Sequence, residues 1–452
     1  MPSWFKWPLS LQSSSHHVLG KSLFWLGSAQ IMGRIVRLIS SIIIARLLTP
    51  ENFGEIAIIL TSFELISTPL RRLTTAALVK MDESSFVKAL PEANKINWVA
   101  SILAFIIMCL LSIILAQFYQ NNHIILPMIL MASSYLILPF GMLYVALNLR
   151  QNRMRIVGRA VLWQTMMDGI LTTILALIGL GIWAIIIPKV IVTFVWLGIH
   201  RYQNSLPLNK TKIISEISTQ PSTQTPSSSF NPKCHYSYQA ILKFGIPVGL
   251  SDITLAFRQN IDYLLVGYFL GIEALGIYFF AFNASLGISL GIIQSYGTAL
   301  YSHLCQPSQE SLQQKFRHSL KFIMMLTIPL ITLQTLLSPW YLPLIYGEKW
   351  LTAGALPIFI LLCLSGLVRP LGEAASQYLL SNHQAQLNLK ANIVLTLLLI
   401  ACISLASIWG LQAVALASLL CYFITLPAFT YFLLKQKDQH TSHMGKELPN
   451  DA

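Results

Sequence analysis

The sequence predicts an all-α, polytopic membrane protein of about twelve transmembrane helices, in two pseudo-symmetric six-helix lobes around a central cavity. Three observations predict it. The 452 residues are 55% hydrophobic and only 10% charged, where a soluble domain carries about 25% charged residues. Apolar runs of about 20 residues, long enough to cross a bilayer, recur along the whole chain. The chain also repeats itself: at a constant offset of 222, Gly27, Leu48, Glu51 and Gly54 meet Gly249, Leu270, Glu273 and Gly276.

Taken in order, Trp4, Phe5 and Trp7 flank Lys6 and suit a headgroup-level anchor. Twelve spans follow, at about 22–48, 53–76, 95–118, 123–148, 156–178, 180–201, 238–270, 273–300, 316–338, 353–378, 385–408 and 410–434. The first ends in a polar corner, Thr49-Pro50-Glu51-Asn52, that turns the chain back. Leu126-Pro127 recurs as Leu356-Pro357 at offset 230, Pro139 as Pro370 at 231, and Gly181-Ile182 as Gly410-Leu411 at 229. Such drift is what a duplicated six-helix unit leaves when its loops change length, and two like-oriented units are related by an axis along the membrane normal. The stretch 204–236, rich in Ser, Thr, Gln and Pro, cannot bury a core and divides the halves. The expected organisation is a lobe at 1–203, a cytoplasmic linker at 204–236 and a second lobe at 237–452.

An even number of spans puts both termini on one side. With residues near a span end assigned to the adjoining loop, that side holds 23 of the 30 Lys and Arg residues, the opposite side holds Arg46 and Lys349, and five lie deep within spans. The asymmetry predicts cytoplasmic termini. No cleavable leader is evident, so the first helix is expected to act as its own insertion signal.

Several function classes are excluded. The net charge of +13 is dispersed among loops rather than gathered on one soluble face, which argues against a nucleic-acid partner. The six cysteines form no C-x-x-C pair, which argues against disulfides and zinc. Gly20-Lys21-Ser22 lacks the strand and first glycine of a phosphate loop, and Gly287-Ile288-Ser289-Leu290-Gly291 lies within an apolar span. The outer loops are short, the longest being Ser338 to Thr352, which leaves no room for a catalytic domain. Neither an enzyme activity nor a cofactor is expected.

Charged side chains inside spans are costly and point to function or to pairing. They are Arg34, Arg37, Glu64, Asp168, Lys189, Asp252, Arg258, Asp262, Arg369 and Glu373. Arg34 and Arg37 share a helix face, and Arg34 lies roughly 20 Å from the inner end of its span at 1.5 Å per residue. Asp252, Arg258, Gln259 and Asp262 form a polar stripe on the corresponding helix of the second half. Two readings of these residues stand side by side. One is internal pairing: Arg34 or Arg37 with Glu64 or Asp168, Arg258 with Asp262, and Arg369 with Glu373. The other is a hydrated cavity lined by guanidinium groups, whose planar forks suit a phosphate or pyrophosphate. Lys189 reads as a structural residue reaching the cytoplasmic interface.

The segment Ala45-Arg46-Leu47-Leu48-Thr49-Pro50-Glu51-Asn52-Phe53-Gly54 resembles the corner of bacterial polysaccharide transporters. These are the Wzx-like lipid-linked oligosaccharide flippases of the multidrug/oligosaccharidyl-lipid/polysaccharide exporter superfamily. Asn260-Ile261-Asp262-Tyr263-Leu264-Leu265-Val266-Gly267 and Tyr346-Gly347-Glu348-Lys349-Trp350-Leu351 are similar to two further segments of that family. Asn52 stands where an acid is usual, and Thr352-Ala353 where Pro-Ala is usual. The resemblance implies lobes that alternate between inward and outward openings in the bacterial inner membrane. It implies an undecaprenyl-pyrophosphate-linked oligosaccharide as substrate, for O-antigen, capsule or exopolysaccharide synthesis. It also implies cationic cavity residues, for which Arg34, Arg37, Arg258 and Arg369 are the candidates. Glu64, Asp168, Asp252 and Asp262 are the candidates for coupling to H+ or Na+. Membrane lipid and a polysaccharide polymerase and export complex are the expected partners. The alternative is a cation-coupled multidrug antiporter on the same scaffold, which would favour buried acids over arginines.

Overall fold

The computed structural model describes residues 33, 36–81, 83–151, 153–202, 238–305, 312–382 and 384–435. The N-terminal anchor, most of the first span, Arg34, the 204–236 linker and the C-terminal tail lie outside the described residues. Every regular element among the described residues is helical. They are α1 (36–47), α2 (Pro50–Arg72), α3 (Thr75–Lys80), α4 (Glu83–Phe118), α5 (Ile125–Ile137), α6 (Pro139–Arg150), α7 (Met154–Leu177), α8 (Trp183–Arg201), α9 (Tyr238–Cys305), α10 (Leu312–Tyr346), α11 (Lys349–Thr352), α12 (Ala355–Ser365), α13 (Arg369–Ser381), α14 (Ala385–Ala406) and α15 (Leu411–Lys435).

Among the described residues nine helices are long and apolar enough to cross a membrane, or ten if the bent pair α5–α6 is one span. The expected spans 7 and 8 are both contained in the 68-residue α9, where Gly271 adopts φ 86°, ψ −178° and breaks the helix. A side chain there would meet steric strain that glycine avoids. Proline sets two other breaks. α5 and α6 meet at 51° before Pro139, and α12 ends at Ser365 before α13 restarts with Pro370 in its first turn. Proline suits the first turn of a helix but cannot continue one from behind.

The described residues pack as two units. One comprises the described parts of Met1–Leu47 and Ile59–Phe257; the other comprises Leu48–Ile58 and the described parts of Arg258–Ala452. In the first unit, α4 and α5 bury Met108, Met128, Met131, Tyr135 and Leu138 in one cluster. Tyr135 stacks on Phe63 at 4.7 Å, and its hydroxyl donates to the Phe63 carbonyl at 2.8 Å. The opposite face of α4 leaves Ile102, Leu103, Ile106, Leu110 and Ile114 exposed, as a lipid-facing helix requires.

In the second unit the two motif segments clasp each other. Trp350 is fully buried, with Phe280 stacked on it at 3.7 Å and Phe53 edge-on at 5.1 Å. The Lys349 ammonium donates to the Leu48 carbonyl, and burial lowers its pKa from the ordinary lysine value. Gly54 and Gly276, paired by the repeat, sit against the opposite corner. A Cβ on Gly276 would overlap the Pro50 carbonyl, and one on Gly54 would overlap that of Ile272. Small residues allow this close backbone approach between membrane helices.

Candidate functional site

The charged residues divide by unit. In the first, Asp168 on α7 pairs with Lys189 on α8 at 2.5 Å. Asp252, on the first half of α9, pairs with Arg72 at the end of α2 at 2.9 Å. Asp168 thus pairs with Lys189 rather than with Arg37, and Lys189 has a structural partner on the neighbouring helix. Arg37 is exposed and its Nε donates to the Gly33 carbonyl at 3.4 Å. Glu64 is exposed, with Arg71 within electrostatic reach.

In the second unit the charges gather without pairing. Arg258 and Asp262 stand four apart on α9, yet among the described residues they form no ion pair. Arg258 Nη1 donates instead to Asn392 Oδ1 on α14, whose Nδ2 donates to Asn388 Oδ1 at 3.2 Å. Asp262 is buried and accepts the Tyr263 backbone N–H at 3.0 Å and the Tyr278 hydroxyl at 3.2 Å. Arg369 and Glu373, four apart on α13, do not pair either, because Glu373 Oε1 accepts from Gln377 Nε2 at 2.8 Å. The Arg369 guanidinium lies 4.6 Å from the Tyr422 ring centroid and 5.4 Å from that of Phe282. Its Nε is buried, and no hydrogen bond or ion pair to Arg369 occurs among the described residues. Arg369, Glu373 and Tyr422 each lie within electrostatic reach of Arg258, and Asp262 lies within reach of Arg369.

Spacing along a helix identified Arg258, Asp262 and Arg369, and the structure brings these three together. Asp168 and Asp252 are ion-paired within the first unit, and Arg34 lies outside the described residues. Tyr422, Phe282, Tyr278 and Asn392 went unnoticed, since aromatics and amides are ordinary in apolar spans. Glu373 was legible as a partner of Arg369 or, with it, as part of a cavity wall. Arg258 and Arg369 form no ion pair among the described residues, although Glu373 lies within electrostatic reach of Arg258 and Asp262 within reach of Arg369. Among the described residues no cluster of His, Cys, Asp and Glu has the make-up of a metal site.

Bent helices of membrane-spanning length define a multi-pass membrane protein. Its fold matches that of the lipid II flippase MurJ in an inward closed conformation at TM-score 0.70 and 14% identity, over 91% of this chain and 87% of that one. It matches an inward-facing multidrug resistance MATE family transporter of the MOP superfamily at TM-score 0.67 and 12% identity, over 90% of this chain and 96% of that one. At these identities the likeness is one of fold. Residues 43–355 match the polysaccharide biosynthesis protein family, and the chain belongs to that family. Relatives include a membrane protein of the cps region of Klebsiella pneumoniae, 21% identical over 92% of this chain and 82% of that protein. The teichuronic acid biosynthesis protein TuaB of Bacillus subtilis is 23% identical over 69% of this chain and 60% of its own length. The lipopolysaccharide biosynthesis protein WzxC of Escherichia coli is 25% identical over 45% of this chain and 42% of its own.

Proposed function

We propose that this protein is a flippase that moves an undecaprenyl-pyrophosphate-linked oligosaccharide from the cytoplasmic to the outer leaflet of a bacterial inner membrane, for surface polysaccharide synthesis. The observation that carries the reading is the pair of guanidinium groups, Arg258 and Arg369, held without a carboxylate partner. A bare charge at such depth costs several kcal/mol. A site that tolerates two cations without neutralising them suits a ligand that brings its own negative charge. Membership of the polysaccharide biosynthesis family and the names of the relatives support the same substrate class.

In this reading the lobes 1–203 and 237–452, joined by a cytoplasmic linker at 204–236, work by alternating access with both termini cytoplasmic. The pyrophosphate rests on Arg258 and Arg369, with Arg34 and Arg37 as further cations along the route. The polyprenyl tail stays in lipid, and no covalent step is involved. Of the four coupling candidates, Asp168 and Asp252 already neutralise Lys189 and Arg72. Asp262 is buried among neutral donors, which makes it the strongest candidate to exchange H+ or Na+. The fold is shared with multidrug transporters and does not discriminate between the two activities; the unpaired arginines favour an anion over a cationic drug.

The test is deletion of the gene followed by analysis of lipid-linked sugars on each face of the membrane. Accumulation on the cytoplasmic face, relieved by the wild-type gene but not by Arg258→Ala/Arg369→Ala, is the expected result. Normal export by a well-expressed double variant, or a phenotype confined to drug susceptibility, refutes the reading.

A further inference from the structure

We propose that Tyr422 and Phe282 are positioning residues for Arg369, and Asn392 for Arg258, together holding two guanidinium groups ready for a phosphate or pyrophosphate group. The inference rests on the flippase reading for its substrate but on separate residues for its evidence.

The two acids and two bases of this cluster are sorted. Each acid accepts from neutral donors: Asp262 from Tyr278 and a backbone N–H, Glu373 from Gln377. The two bases are held by neutral groups, Arg258 by the Asn392 carbonyl oxygen and Arg369 by two aromatic rings. Glu373 is placed to pair with Arg369 by helix spacing, yet its bond goes to Gln377. The sorting has a chemical consequence. A carboxylate on Arg369 would occupy the N–H edges that a phosphate needs and would repel the phosphate. A ring face attracts the cation through its quadrupole and makes no claim on the in-plane N–H groups, whose fork matches two phosphate oxygens. An asparagine oxygen anchors Arg258 in the same way, at one donor and without a negative charge.

The set also occurs as a whole in one half of the duplication. At the repeat offsets, Arg258, Phe282, Arg369 and Tyr422 correspond to Val36, Leu60, Leu138 and Thr193. At those four positions the first half carries neither a cation nor a ring, although Arg34 and Arg37 flank Val36 in the sequence.

The full-length protein in lipid nanodiscs is titrated calorimetrically with inorganic pyrophosphate and with undecaprenyl pyrophosphate. Tyr422→Phe is expected to bind within about twofold of wild type, and Tyr422→Leu about ten- to thirtyfold more weakly. Because Tyr422→Leu could fail to fold, phenylalanines bearing one, two and three fluorines are also placed at 422. They keep the ring's shape while draining its face, so affinity should fall stepwise. At the second anchor, Asn392→Asp, which offers Arg258 a carboxylate, should weaken pyrophosphate binding more than Asn392→Ala. A structural role alone would give the opposite order, since Asp is the closer isostere. Equal affinity across the fluorinated series, or Asn392→Asp binding as wild type does, overturns the proposal. Pyrophosphate binding that depends on the ring without transport of lipid-linked oligosaccharide in proteoliposomes overturns the flippase reading and leaves this one standing. Transport indifferent to the ring does the reverse.

Discussion

Two helix breaks, one in each half, come from the same repeated position and have opposite chemistry. In the first half Leu138 precedes Pro139, is buried in the methionine-rich cluster and adjoins Tyr135. In the second half Arg369 precedes Pro370 and stands between Phe282 and Tyr422. The proline and the break were kept through the duplication; the residue at the break was not. The two units differ in the same sense. In the first unit two acids are ion-paired, Asp168 with Lys189 and Asp252 with Arg72. In the second unit Arg258 and Arg369 are held by an amide and by rings. In the proposed reading a duplication accounts for the frame, and a departure from symmetry accounts for the proposed anion-binding centre.

The sharpest way to break the comparison is to make the halves alike. Leu138→Arg puts a charge into a core with no partner or water and should cost at least about 4 kcal/mol. The thermal transition of the purified protein reads this as a collapse in yield or midpoint, and a well-folded variant would show that the first break is as permissive as the second. A comparable loss, about 3–5 kcal/mol, is expected for Trp350→Ala, which empties the middle of the corner clasp. It should appear in stability before it appears in the affinity for pyrophosphate.

The converse change, Arg369→Leu, copies the first half into the second. Transport should fall roughly ten- to a hundredfold, the worth of a charge-assisted contact, while the thermal midpoint holds or rises. Full transport in this variant would remove the functional meaning of the asymmetry. Replacing both Asp168 and Lys189 with leucine should leave transport within about threefold of wild type, since this half-buried pair stands between apolar helices that can take apolar residues in its place. Lys189→Leu alone should be clearly worse because it strands Asp168, and equal behaviour of the two variants would argue against a pair. The smallest effect is expected from Arg72→Ala. That side chain is 60% exposed, and an exposed ion pair contributes about 0–1 kcal/mol; a large transport defect would move this pair from the structural to the working residues.

The family segments show how legibility has limits of its own. The corner at Leu48 and the segment at Trp350 were readable as a resemblance, yet nothing in either string says that they meet. In the structure they form one aromatic contact with Lys349 on the Leu48 carbonyl. Their role is to hold the helix corners together, which is packing rather than chemistry. The reciprocal seating of Gly54 and Gly276 follows the same logic: the 222-residue repeat announced both glycines, and their mutual backbone contact needed coordinates.

What the sequence alone determined was whatever acts locally or by composition. Apolar length sets spans because the bilayer has a fixed thickness, proline and glycine set breaks because they restrict or release the backbone, and a repeat offset survives duplication. Only the tertiary structure decided which charges are neutralised. Helix spacing places Arg258 above Asp262 and Arg369 above Glu373, but it does not say what the neighbouring helix presents. Lys189 lies 21 residues from Asp168, Asp252 lies 180 from Arg72, and Asn392 lies 134 from Arg258. A buried ion takes the partner that packing brings within reach, and packing is a property of the whole chain.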